Sequence, residues 1–290
     1  MFFFLFFFCQ IQQEVPNADY EARVPVVQFP VKVMKGKTIV QGLKAKDFSL
    51  RENQLDVKIL HVEPVFLPRT IEVLVDLSSS NSNKLQQSVN LCKKLIENME
   101  NRDRIKISSF SKIYLEWSPF TSEKEVLLKS LSKLQERGST ALYDAISKAL
   151  ASLAGEQGPK ALFIITDGHD FLSRISAVQL KAQIKSYGIP IFLLYSGSGP
   201  KQDANLLFAQ YRFLQDLTSI SEGLWFSASD GLNNSLQKAI KNLGFRYKVN
   251  YQPPEPDNII IWRRRTLSLN KQKGYSLTYP SGYRLKGLFE

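Results

Sequence analysis

Between residues 70 and 243, short apolar runs alternate with stretches whose apolar residues recur every three or four positions. The runs at 71–75, 105–107, 161–165, 190–194 and 224–226 predict strands. The periodic stretches predict helices near 84–99, 123–134, 141–153, 177–185, 206–217 and 231–243. Near-continuous apolar strands bury both faces, and strands alternating with helices argue for a parallel sheet with helices on each side.

The flanks have a different texture. Val31, Val33 and Ile39 surround the turn-forming Lys35-Gly36-Lys37, which predicts a hairpin, although Val26-Gln28-Pro30-Lys32 just before it is not an ordinary alternation. Asp47-Phe48-Ser49-Leu50 and Leu55-Val57-Ile59 read as strands separated by Glu52-Asn53-Gln54. After the last helix, Tyr247, Val249 and Tyr251 alternate; Pro253 to Asn258 break the pattern, and it resumes over 259–269 and 275–283. The expected fold class is therefore α/β, a doubly wound, mostly parallel sheet over 69–243. A small all-β module is formed by 20–68 and 244–290 packing together, and 1–19 is a separate signal-like segment.

Composition narrows the functional classes. At 290 residues, 43% hydrophobic and 22% charged, the chain is that of a folded protein. Its formal net charge is +11, and the last 45 residues hold nine Lys/Arg against three Asp/Glu. That excess suits an acidic partner or an anionic surface, or simply solvates strand faces. Cys9 and Cys92 make neither a disulfide framework nor a zinc site, and Cys92 falls in a helical pattern with Leu91, Leu95 and Ile96. The apolar run Phe2 to Phe8 is too short to span a bilayer but resembles the core of a secretory signal without its basic leader. Export to the periplasm, cell envelope or medium is expected, with membrane attachment through a lipidated Cys9 as an option. Bulky Phe6 to Phe8 fit a lipidation signal poorly, and a misplaced start codon is the plain alternative.

Three oxygen-rich loops follow strand ends or open a helix: Asp76-Leu77-Ser78-Ser79-Ser80, Gly138-Ser139-Thr140 and Thr166-Asp167-Gly168. In a doubly wound sheet such loops converge beyond the carboxyl ends of the strands. Carboxylates and hydroxyls suit a hard cation such as Mg²⁺, Mn²⁺ or Ca²⁺. Alternation lets Asp76, Ser78 and Ser80 face one ion.

This set resembles the metal-ion-dependent adhesion site of von Willebrand factor type A domains: Asp-x-Ser-x-Ser, a Thr from a second loop and an Asp from a third. The resemblance implies one divalent cation, Mg²⁺ foremost, held by Ser78, Ser80 and Thr140 through hydroxyls and by Asp76 and Asp167 directly or through water. It also implies a non-enzymatic role, binding a protein that presents Asp or Glu to the metal, with no small-molecule substrate. Gly138 to Ile146 is similar to the second-loop helix of a bacterial, acidobacterial-type subgroup. Asp47 to Asn53 and Gly282-Tyr283-Arg284 resemble its leading and trailing β segments.

Rival readings attach to the same residues. Ser78 to Ser80 and Thr140 also suit helix N-caps. Asp144 shares a helix face with Thr140 and is either an outer partner of the metal site or a surface carboxylate. His169 beside the third loop reads as a solvated loop residue, and His61 as a strand residue. No Gly-x-Ser-x-Gly, His-Glu-x-x-His or phosphate-binding Gly-Lys-Ser/Thr loop is present. An aspartyl-phosphate enzyme would want an Asp where Ser78 stands. Trp262-Arg263-Arg264-Arg265 invites a nucleic-acid reading, which export opposes. A metal-free scaffold in an envelope complex is the remaining alternative.

Overall fold

The computed structural model describes residues 26–36, 38–79, 84–136, 138–197, 205–228, 231, 233–254, 262–270 and 273–284, at 205–207 the backbone alone. The run Phe2 to Phe8, Cys9 and Ser80 lie outside the described residues.

In chain order the elements are β1 (Val27–Lys35), β2 (Thr38–Ile39), a single 3-10 turn (Ala45–Asp47), β3 (Phe48–Glu52), β4 (Leu55–Val57), β5 (Ile59–Phe66) and β6 (Thr70–Asp76). Then come α1 (Leu85–Glu97), β7 (Arg104–Phe110), β8 (Tyr114–Glu116), α2 (Lys124–Leu131), α3 (Leu142–Ala154), β9 (Lys160–Thr166), α4 (Ala177–Tyr187) and β10 (Ile191–Tyr195). They end with α5 (Asn205–Ile220), β11 (Trp225–Ser227), α6 (Asn234–Gly244), β12 (Phe245–Tyr251), β13 (Trp262–Leu269), β14 (Tyr275–Thr278) and β15 (Gly282–Arg284).

The α/β part is a six-stranded sheet in the order β11-β10-β9-β6-β7-β8, parallel except for β8. Alternate residues of β6 serve opposite cores. Ile71, Val73 and Val75 join Leu91, Cys92, Leu95, Leu127, Leu236 and Ile240 on the α1, α2 and α6 side. Leu74 joins Leu142, Ile146, Leu180, Ile184 and Leu214 on the α3, α4 and α5 side. The sheet is thus doubly wound, as the strand–helix alternation predicts. Burial pushes the Cys92 thiol up to about 12, which makes it a packing residue.

β6 also carries a charge that its apolar neighbours conceal. Glu72 is fully buried and accepts hydrogen bonds from Ser108 Oγ at 2.6 Å and Tyr114 Oη at 2.7 Å. Lys106 lies 3.9 Å away and donates to Glu116 and to Ser152 Oγ. β8 supplies two of these partners, which explains why a strand of three exposed-to-half-buried residues is retained at the edge.

The flanking strands form two further sheets, β14-β1-β12-β5 with β2 beside β1, and β15-β13-β3-β4. They close over a common core that includes Phe29, Val31, Phe48, Leu50, Tyr247, Val249 and Leu267. Pro30 sits inside β1, contrary to the broken alternation read there. It is tolerated because β14 pairs only with Lys32 to Lys35, so the first half of β1 has β12 alone as a neighbour. The turn between β3 and β4 places Asn53 and Gln54 at φ 47° and 71°, the left-handed geometry of a two-residue hairpin.

The two parts meet where the chain enters and leaves the α/β sheet. Leu67 donates its N–H to the Gly244 carbonyl at 2.8 Å. A Cβ on Gly244 would lie 2.4 Å from the Leu67 carbonyl oxygen, so this crossing admits glycine only.

Candidate metal centre

Strand order reverses at β6: the chain moves to β7 on one side, then returns to β9 on the other. The crevice at such a switch point is where doubly wound sheets bind ligands. Asp76 ends β6, and Thr166 ends β9 directly before Asp167. The apolar strands fix these positions, because the pairing of Val75 with Ile165 brings the two strand ends side by side at the crevice.

Hydrogen bonds draw the three loops together. Thr166 Oγ1 donates to Asp76 Oδ2 at 2.6 Å, joining the third loop to the first. The Ser78 N–H donates to Asp76 Oδ1 at 2.9 Å. The Ser79 N–H and hydroxyl donate to the Gly138 carbonyl at 2.9 and 3.2 Å, joining first to second. The Thr140 carbonyl accepts from the N–H groups of Phe171 and Leu172, both at 3.0 Å, joining second to third. Gly168 turns the third loop at φ +89°, and a Cβ there would meet Leu214 Cδ1 at 2.6 Å.

Asp76, Ser78, Thr140 and Asp167 are all buried, between 1% and 5% exposed. Burial pushes the Asp76 carboxyl up to about 6, against hydrogen bonds from Ser78 and Thr166, and the charge of Asp167 pushes the same way. His169 Nδ1 lies 3.4 Å from Asp167 Oδ2, and that carboxylate raises the imidazole pKa against its own partial burial. The pocket therefore holds two desolvated, mutually repelling carboxylates, one of which accepts hydrogen bonds from Ser78 and Thr166. A divalent cation fits that donor set: it offsets both charges and takes oxygen ligands. Among the described residues no group of three His, Cys, Asp or Glu side chains stands together as a metal cluster, so hydroxyls have to supply part of any ligand set here.

The rival readings resolve into specific contacts. Ser78 and Thr140 are not helix caps. The N-cap of α1 is Lys84 and that of α3 is Ala141, and neither uses its side chain to cap. Asp170 caps α3 instead, from across the crevice: Oδ1 accepts from the N–H groups of Leu142 at 2.7 Å and Tyr143 at 3.3 Å and from Ser173 Oγ at 2.5 Å. Asp144 is not a free surface carboxylate. It accepts from the N–H groups of Arg174 and Ile175 at 3.0 to 3.1 Å and holds the loop before α4. His61 lies on β5, 3.5 Å from Glu63. The roles of Thr166 and Asp170 escape sequence reading because each acts on a loop far away in the chain. The one available signal was a hydroxyl at a strand end facing an Asp at the neighbouring strand end.

The sequence profile of the von Willebrand factor type A domain matches residues 71–169, the stretch from β6 through the third loop. The chain contains a von Willebrand factor type A domain. Two solved structures with TM-scores of 0.52 and 0.50 share the fold. A von Willebrand factor type A protein from Catenulispora acidiphila is 11% identical and covers 91% of this chain and 75% of its own, with a TM-score of 0.52. Proximal thread matrix protein 1 of the mussel byssus is 15% identical over 66% of this chain and 51% of its own, with a TM-score of 0.50. The conserved hypothetical protein BatB from Bacteroides thetaiotaomicron is 21% identical over 60% of this chain and 96% of its own, with a TM-score of 0.48. Among the curated proteins none matches. The first of these likenesses extends past the von Willebrand factor type A domain into the flanking β strands.

Proposed function

We propose that this chain is an exported, non-enzymatic protein-binding module whose contact with its partner is completed through a divalent cation. Asp76, Ser78, Thr140 and Asp167 would hold the ion, with Ser80 supplying the remaining position of the sequence pattern. The observation that carries the reading is the pair Asp76 and Asp167, two buried carboxylates gathered with hydroxyls at the switch point of the sheet. When bound, the cation supplies a Lewis-acidic coordination position that a partner's Asp or Glu can fill. Everything else is done by the chain: Thr166 and the Ser78 N–H orient the Asp76 carboxylate, and the Thr140 carbonyl fixes the third loop. With only two carboxylates and otherwise neutral hydroxyl donors, the cation stays electrophilic enough to accept a carboxylate from the partner. Export rests on the run Phe2 to Phe8, with anchoring through Cys9 as an extension of the same idea. The mussel byssus matrix protein shares the fold, a setting that fits an extracellular role.

A metal-free scaffold is the alternative, favoured by the hydrogen bonds that already reach both oxygens of Asp76. Titration calorimetry of the full chain with Mg²⁺ and Mn²⁺ separates the two readings. The expected result is one site per chain that Asp76→Ala weakens by more than about 100-fold, beyond the loss typical of an outer-sphere partner. Equal heats from wild type and variant would remove the metal from the mechanism.

A further inference from the structure

Beside the metal loops an open groove of about 650 Å³ follows the first two turns of α3. Its floor is Ala141 and Ala145, whose small side chains leave depth above the helix. One wall is the turn between β7 and β8, with Lys112 and Ile113. The other is the loop before α4, with Leu172 and Arg174, and Lys148 closes the far end. Ile113 and Leu172 are 58% and 42% exposed, apolar side chains left in water on both walls of one groove. Lys112, Lys148 and Arg174 are exposed, and none enters an ion pair among the described residues. Asp144 is the carboxylate of the described lining, and its oxygens are engaged by the Arg174 and Ile175 N–H groups, so the lining keeps a net positive charge.

The groove and the metal loops are one surface. Ala141 follows Thr140 directly, and the Thr140 carbonyl is bonded to the N–H of Leu172. From Ala141 to Lys148 the helix rises about 10 Å, room for about three residues of extended chain.

We propose that this groove docks an extended acidic segment of the partner protein. A leucine-like side chain of that segment seats between Ile113 and Leu172, and its flanking carboxylates meet Lys112, Lys148 and Arg174. The inference rests on the reading of this face as a protein-binding surface and adds what the partner must carry beyond the carboxylate at the metal. A basic groove alone would serve a nucleic acid equally. Exposed aliphatic side chains on both walls gain nothing from a phosphate backbone but are the pocket a peptide side chain needs.

Fluorescence polarisation of the full chain with a fluorescein-labelled peptide, Gly-Glu-Asp-Leu-Glu-Asp-Gly, tests the proposal in Mg²⁺ and in EDTA. Wild type should bind it, and should not bind the version with Lys at all four acidic positions. Lys148→Glu with Arg174→Glu should weaken binding at least about tenfold, and so should raising the salt from about 0.05 M to about 1 M. Ile113→Ser with Leu172→Ser should weaken the leucine peptide and leave a serine version of the peptide unaffected. All four positions are on the surface, and circular dichroism checks that each variant folds. Unchanged affinity in the charge-reversed variant overturns the groove, even where EDTA or Asp76→Ala abolishes binding, since the metal then acts alone. Affinity lost in that variant but indifferent to EDTA and to Asp76→Ala upholds the groove and removes the metal bridge. Failure of wild type to bind the acidic peptide, or displacement of the peptide by oligothymidylate with greater affinity, also overturns it.

Discussion

Arg69 ties the point where the chain enters the α/β sheet to the point where it leaves. Its N–H donates to Asp103 Oδ1 at 2.8 Å, its Nε donates to both oxygens of that carboxylate, and its Nη1 donates to the Ile240 carbonyl at 3.1 Å. Both side chains are buried. Asp103→Asn leaves a buried guanidinium with only the exposed Glu100 carboxylate, 3.8 Å away, as counter-charge, and a cost of about 3 kcal/mol is expected, read as a lower urea midpoint at neutral pH. Burial pushes the Asp103 carboxyl up, but hydrogen bonds from Arg69 and from the Glu100 N–H, with the Arg69 charge, outweigh it and the net shift is downward. A carboxylate lowered by folding stabilises the native state above its ordinary value of 3.8 and loses that contribution as pH falls through the lowered folded value. Between about pH 5 and about pH 2 the wild type should therefore lose more stability than Asp103→Asn. Equal slopes would contradict the pairing. None of this is legible in the sequence, where Arg69 is only the first residue of the expected α/β domain and Asp103 one acid ahead of an expected strand. Glu72 is the same lesson inside a strand: an apolar run reads as an apolar run even when one position hides an ion pair.

At the scale of elements, α3 shows how a site can be built by capping in trans. Its N-terminus offers the N–H groups of Leu142 and Tyr143 to Asp170, which sits on the third loop. Asp170→Ala should cost about 1 to 2 kcal/mol as a lost cap, and should also loosen the third loop, visible as faster amide exchange at Phe171 and Leu172. A variant as stable as wild type, with unchanged exchange, would show that the cap is dispensable. The core-facing helices and the five parallel strands were readable because apolar spacing is dictated by burial on two faces. β8 was not, since its three residues alternate weakly and it exists to carry Tyr114 and Glu116 to Glu72 and Lys106. β1 was only half readable, since Pro30 breaks the pattern at a place where a missing donor costs nothing.

The whole molecule is held by pairings between segments some two hundred residues apart in sequence. β1 and β5 flank β12, and β3 pairs with β13, so neither terminal segment makes a sheet by itself. The two motifs read at opposite ends of the chain meet here. Glu52 of β3 accepts from Arg263 at 2.7 Å and from Tyr251, and the Tyr283 hydroxyl lies 3.3 Å away. Composition and alternation called for strands in both segments, but register between distant strands is set by three-dimensional packing and leaves no mark on either one. The three oxygen-rich loops lie in between: their order, residue types and positions at strand ends could be read from the sequence, whereas the hydrogen bonds that gather them could not. The gathered loops are proposed to hold a cation. Crystals of the full chain grown with Mn²⁺ and measured at the manganese absorption edge test it most directly. The account predicts an anomalous peak within coordination distance of Asp76, Ser78, Thr140 and Asp167 oxygens. A peak elsewhere, or none at saturating Mn²⁺, would contradict it.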